Sequence, residues 1–176
     1  MARRDPSGGE QPAAQYLRMS TEHQKYSTTH QAAAIEGYAQ AHGYQIIRTY
    51  CDEGISGVSI KNRKGLQQLL ADILGGSADY GVVLVYDVSR WGRFQNPDQS
   101  AHYEFLCTEA GVHVEYCAEL FENDGSLSST LLKNLKRVMA AEYSRELSVK
   151  VADAHLRLAK LGYWQGGPPG YGFRRR

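Results

Sequence analysis

From Ala13 to Cys117 short apolar segments alternate with helix-length segments, and this alternation restricts the available folds more than any other feature of the chain. AAQYLRM reads as a strand, His30–His42 as a helix closed by Gly43, and YQIIRTY as a second strand, a β-α-β opening. After the polar loop CDEGISGVSIKNRKG, Leu66, Leu69, Leu70 and Ile73 fall at i, i+3, i+4 and i+7 and predict one buried helix face. VVLVYDV supplies a third strand, Asp98–Ala110 a helix stopped by Gly111, and VHVEYC a fourth strand. Strands separated by helices predict the α/β class, with a mainly parallel sheet and helices on both its faces.

The rhythm changes after the turn-rich segment FENDGS. Ser129–Leu161 contains neither Gly nor Pro and is followed by Gly162, so it predicts one helix of roughly 33 residues and about 50 Å. Leu131, Leu135, Val138, Met139, Leu147, Val151, Leu158 and Leu161 spread apolar positions along all of it. One small sheet cannot cover such a length, so part of the helix is expected to bury against another chain. The expected organisation is a disordered polar tail (1–12), an α/β domain (13–128), a long C-terminal dimerisation helix (129–161) and a linker (162–176) leading to a region outside this chain.

A length of 176 residues with 42% hydrophobic and 22% charged residues fits one compact domain with trailing material. The longest apolar run is only Val82–Tyr86 and no leader pattern precedes it, which argues against membrane and secreted classes. Three cysteines (Cys51, Cys107, Cys117) without CxxC spacing favour neither a disulfide framework nor a zinc site, and point to a reducing, cytoplasmic setting. The net charge of +1 conceals an asymmetry. Residues 1–132 hold 10 Lys+Arg against 16 Asp+Glu, and residues 133–176 hold 10 against 3, a net of +7 that suits a polyanionic partner.

No Walker loop, GxGxxG, GxSxG or HExxH is present, and the histidines lack ligand spacing, so no metal and no nucleotide cofactor is expected. Chemistry concentrates where strands end. Ser20 follows the first strand, with Arg18 two residues earlier on the same strand face; Lys61, Arg63 and Lys64 precede a helix; Asp87, Arg90 and Arg93 follow the third strand. Carboxyl ends of strands in open α/β sheets bind ligands. Four arginines (18, 63, 90, 93) around one hydroxyl suit a phosphodiester, because guanidinium forks match phosphate oxygens and stabilise the charge built up during transfer. Taken singly, Ser20 also reads as a helix cap, each arginine as a surface ion pair, and Asp87 as a turn residue.

In order along the chain, these residues resemble the serine site-specific recombinases, the resolvases, invertases and their large phage-type relatives. The pattern Y-x-R-x-S-T-x-x-Q appears as Tyr16, Arg18, Ser20, Thr21 and Gln24, with a later glutamine at Gln31. S-G-x(n)-R-x-G-L appears as Ser56, Gly57, Arg63, Gly65 and Leu66, and R-[LFW]-x-R as Arg90, Trp91, Gly92 and Arg93. A-E-x-x-R-E appears as Ala141, Glu142, Arg145 and Glu146, and GGPPGYGF resembles the start of the DNA-binding region in large members. The chain is thus similar to the N-terminal catalytic domain of a large serine recombinase. Two positions depart: Ser89 stands where many members carry Asp before the first strand-end arginine, and Tyr143 where small members often carry arginine. The nearest carboxylate to Ser89 is Asp87, about 7 Å away on the same strand face by strand rise.

The resemblance implies that Ser20 attacks a DNA phosphate, leaves a 5′-phosphoserine link and religates after strand exchange without ATP or metal. It implies that Arg18, Arg63, Arg90 and Arg93 neutralise the phosphate and that Gln31 and Lys64 position it; with Ser89 in the place of the acid, either Asp87 substitutes as proton carrier and organiser of Arg90 or Arg93, or the chain does without a carboxylate there. It further implies that Glu142 and Arg145 belong to an oligomer helix, that the partner is double-stranded DNA, and that the protein forms a homodimer on each site and a synaptic homotetramer. A cytoplasmic, nucleoid-associated protein of a mobile genetic element is expected. Two rival readings stand beside this one: a nonenzymatic DNA-binding relative that has lost cleavage, and a small-molecule hydrolase pairing Ser20 with His23 or His30.

Overall fold

The computed structural model describes residues 10–19, 28–52, 60–92, 94, 96–119 and 121–163. Their elements are β1 (Gln11–Arg18), α1 (Thr28–His42), β2 (Tyr44–Asp52), α2 (Lys64–Leu74), β3 (Val82–Val85), α3 (Val88–Trp91), α4 (Pro97–Glu109), β4 (His113–Tyr116) and α5 (Leu127–Lys160). All strand pairs are parallel, in the order β2-β1-β3-β4. The chain moves outward from β1 to β2, then crosses back over β1 to β3 and on to β4. That reversal puts the topological switch point between β1 and β3, and the crevice outside their carboxyl ends is where such sheets bind ligands.

Alternation along β1 builds two cores. Ala13 and Leu17 pack with Ile35 and Ala39 of α1 and with Val82 and Leu84. Ala14 and Tyr16 point the other way, onto Leu66, Leu69, Leu70 and Ile73 of α2, and onto Trp91 and Cys107. Helices therefore cover both faces, as the alternation of segments predicts. The whole of β3 is buried, which suits the uninterrupted VVLV of an interior parallel strand.

Most boundaries differ from the sequence expectation by a residue or two, and three of the differences bear on the site or the long helix. β1 opens at Gln11, so Gln11 and Pro12 belong to the sheet and not to the polar tail. Pairing with β3 begins only at Ala13, so the missing N–H of Pro12 costs the ladder nothing there. The third strand stops at Val85, and the turn α3 follows it, too short to leave any periodicity in the sequence. Asp87 is consequently the N-cap of α3, and the same-strand-face relation to Ser89 does not hold. The long helix starts at Leu127 because the Ser126 hydroxyl accepts from the Ser129 amide and caps it two residues earlier than expected.

With 34 residues, α5 is about 51 Å long. Among the described residues, only its first half meets the α/β body. Ser129, Arg137 and Ala141 are buried, and Glu104 of α4 accepts from Lys133 (2.7 Å), from the Tyr116 hydroxyl (2.8 Å) and from Arg137. From residue 142 to 160 every side chain described is exposed, including Leu147, Val149, Val151, Leu156 and Leu158.

Candidate active site

The carboxyl end of β1 is fixed before its side chains act. Gln31, fully buried on α1, closes its amide on the main chain of Arg18: Oε1 accepts from the Arg18 N–H (3.3 Å) and Nε2 donates to its carbonyl (3.0 Å). In this geometry Gln31 holds the strand end that leads to residue 20. The buried Arg18 side chain donates from Nε to the Arg90 carbonyl (3.2 Å) and from Nη2 to the Ser89 carbonyl (2.9 Å).

Arg63, just before α2, is equally buried. Its Nε and Nη2 donate to the Tyr16 hydroxyl at 3.1 and 2.7 Å, and Nη2 reaches the carbonyls of Arg90 (3.3 Å) and Trp91. Its guanidinium lies 5.3 Å from the Tyr16 ring centroid and 5.4 Å from that of Phe94, within cation–π range. Two arginines thus satisfy the carbonyls that end α3, groups a helix cannot satisfy internally.

Asp52 completes this layer from the end of β2 and is 2% exposed. Its carboxylate accepts from Gly65 N–H (2.8 Å), Leu66 N–H (3.1 Å) and the Tyr16 hydroxyl (2.8 Å), and lies 3.9 Å from Arg63 Nε. One side chain therefore caps α2, whose own N-cap residue Arg63 offers no side-chain cap, and compensates the buried guanidinium. Position 65 must be glycine because a Cβ there would lie 2.6 Å from the Cys51 carbonyl oxygen. Burial, reinforced by Asp52 and opposed by Arg63, pushes the Tyr16 phenol well above its usual range, so it stays a neutral hydrogen-bonding post.

Arg90, 7% exposed, is held by its main chain. Its N–H donates to Asp87 Oδ1 (2.9 Å) and its carbonyl accepts from Arg18 and Arg63. Asp87 thus pairs with a backbone amide as the cap of α3, which is the turn-residue reading of the sequence. Among the described residues, Arg90 Nε and Nη1 and Arg63 Nη1 are buried donors without an acceptor. Unmet buried donors on cations are costly, and an anionic oxygen ligand satisfies them. The arrangement is a candidate anion site at the switch point.

The remaining sequence candidates fall in different places. Ser20 and Arg93 lie outside the described residues, as do His23, Ser56 and Gly57. Lys64 is the exposed first residue of α2, and exposed His30 sets its ring edge-on to Tyr86 at 6.3 Å. Glu142 and Arg145 pair with each other at 2.8 Å on the protruding half of α5. Among the described residues no cluster of His, Cys, Asp or Glu fits a metal ion, and no helix is long and apolar enough to cross a membrane. Sequence reading missed Asp52. Its signal was available, a carboxylate at a strand's carboxyl end just before a basic loop.

Residues 13–164 match the family described as the resolvase N-terminal domain. The structure is similar to that of the N-terminal catalytic domain of TP901-1 integrase, with 26% identity and a TM-score of 0.61 over 78% of this chain and 99% of that one. It is also similar to the C-terminal catalytic domain of ISC1926 TnpA, an IS607-like serine recombinase, at 25% identity and a TM-score of 0.53 over 73% and 98%. A resolvase family site-specific recombinase from Streptococcus pneumoniae shares the fold at 24% identity, with a TM-score of 0.57 over 85% and 99%. No curated protein matches the sequence. With most of its length, residues 13–164, inside the family match, this chain belongs to the resolvase family.

Proposed function

We propose that this chain is the catalytic domain of a large serine recombinase that performs site-specific recombination on double-stranded DNA with Ser20 as nucleophile. The observation that carries this reading is the set of buried guanidiniums of Arg18, Arg63 and Arg90 at the carboxyl ends of β1 and β3, with donors of Arg63 and Arg90 unmet. Ser20 follows Arg18 by two residues. Its Oγ–P bond forms as the bond from phosphorus to the 3′-oxygen breaks; the proton that Oγ gives up is balanced by one taken up at the departing oxygen. The 5′-phosphoserine keeps the bond's energy, and attack by the 3′-hydroxyl of an exchanged strand reverses the step. Arg90 and Arg63, joined by Arg93, stabilise the charge that grows on the phosphoryl oxygens. Arg18, Gln31 and Asp87 hold Arg90 and the strand end in place, and Lys64 at the start of α2 adds positive charge toward DNA.

The basic residues after Arg137 supply phosphate contacts, which give affinity and register without base readout. The apolar residues exposed on α5 support assembly into a homodimer and a synaptic tetramer through that helix, with Glu142 and Arg145 in the same surface. The reading also makes this a nucleoid-associated protein of a mobile genetic element. The decisive experiment incubates the full-length protein with site-bearing DNA nicked so that the cleaved strand dissociates. A covalent adduct mapped to Ser20 and lost in Ser20→Ala is expected. Cleavage by the alanine variant overturns the nucleophile, and DNA binding without any adduct favours a relative that binds and does not cut.

A further inference from the structure

One carboxylate with a nearly buried side chain lies beside the candidate site. Glu119 follows β4, where the Ala118 N–H donates to the Tyr86 carbonyl at 2.8 Å and carries the chain alongside the end of β3. Its side chain is 5% exposed. One oxygen, Oε1, accepts from the N–H of Val88, the first residue of α3, at 3.2 Å. The other, Oε2, lies 3.0 Å from Nζ of Lys136 on α5. Around this pair is an open cleft of about 400 Å³, lined by Asp87, Ser89, Glu119, Lys136, Met139 and Tyr143. Glu119 thus links α5, through Lys136, to the first amide of α3, through Val88.

The turn α3 is one helical turn clamped at both ends. Asp87 and Glu119 hold its amides, and Arg18 and Arg63 hold its carbonyls. Arg90 rides on that turn, so the direction of its unmet donors follows the turn's position. We propose that Glu119 is a positioning residue for Arg90 and that its pair with Lys136 couples the placement of α5 to the geometry of the anion site. A displacement of α5 that draws Lys136 away leaves the Glu119 carboxylate without its cation at the wall of this cleft, where water can take the lysine's place. The carboxylate then re-solvates or follows the helix, and either movement weakens its hold on the Val88 amide. The inference rests on the recombinase reading and assigns that site a regulatory input.

The test is single-turnover covalent attachment of the full-length protein to saturating nicked DNA, with DNA affinity measured in parallel. Glu119→Ala removes both bonds and should slow attachment at least tenfold while DNA affinity stays within twofold. Glu119→Gln keeps an acceptor for Val88 and loses only the ion pair, so it should slow attachment about threefold. Lys136→Met should match it, and the Glu119→Gln/Lys136→Met double variant should be no slower than either single, because both remove the same pair. Thermal melts confirm folding, and if Glu119→Ala does not fold, the comparison of the two milder variants with their double decides. Parental rates in the variants, or single effects that multiply in the double, overturn the coupling. If the parental protein forms no adduct, the recombinase reading fails, and that outcome is distinct from failure of the coupling.

Discussion

Replacing Asp52 with alanine should unravel the layer beneath the anion site before it disturbs anything on the surface. The substitution removes the acceptor for two amides at the start of α2, the acceptor for the Tyr16 hydroxyl, and the carboxylate nearest Arg63. Loss of a helix cap costs about 1–2 kcal/mol. Stranding a buried guanidinium costs about 3–5 kcal/mol, and the two terms overlap because the same oxygens serve both. We expect Asp52→Ala to lose about 3–5 kcal/mol, a large share of the roughly 5–15 kcal/mol that holds a domain together. Asp52→Asn keeps the shape and one acceptor oxygen, but turns an amide donor toward an N–H, and should lose about 2 kcal/mol. Urea unfolding is the assay. With a slope near 2 kcal/mol per molar, the alanine variant should shift the midpoint down by about 2 M. A shift below about 0.5 M at unchanged slope would mean that Arg63 does not depend on this carboxylate, and the account of the buried layer would be wrong.

Gly65→Ala should cost about 1–3 kcal/mol, since its Cβ meets backbone and not a flexible side chain; an unchanged melting temperature would refute the close approach of α2 to β2. At pH 8 a thiol reagent should label exposed Cys51 quickly and spare Cys107 and Cys117, whose thiols burial pushes up to about 12; rapid native labelling of all three would contradict the packing. The same burial, together with the Tyr38 phenol raised to about 12, means the folded chain keeps protons that the unfolded chain releases near pH 9 and 10. This contribution is complete below about pH 9 and is lost between about pH 9 and 12, so urea midpoints should fall across that window; a rise would reverse the sign. Sedimentation over a concentration series should show self-association that weakens when Leu147 and Val151 are changed to Ser, whereas a strict monomer at high concentration would remove the assembly role given to α5.

Much of the architecture was legible because it is written in local periodicity. Leu66, Leu69, Leu70 and Ile73 define a helix face without reference to the rest of the chain, and the glycines after α1 and α4 mark stops. The anion site was legible in part. Arg18, Arg63 and Arg90 could be picked out as cations at strand ends, but their burial could not, since nothing local distinguishes a solvated arginine from one under a sheet. Asp52 meets Tyr16 and Arg63 only because β2 pairs with β1, and Glu119 meets Val88 only because β4 lies next to β3. Strand order is a long-range property that no window of residues contains. The turn α3 escaped for the opposite reason: four residues are too few to show a period, and only Asp87 as a cap betrays it.

The free half of α5 has a mechanical consequence. Residues 142–160 extend about 28 Å past the last side chain anchored in the body. A tilt of about 10° at that anchor moves the far tip by roughly 5 Å, close to one helical turn. The same tilt displaces Lys136, about 7.5 Å from the anchor on the other side, by only about 1.3 Å. The helix is thus a lever with its fulcrum beside the anion site and its long arm in solvent. Whatever grips the long arm acts with mechanical advantage on a contact that a small displacement breaks.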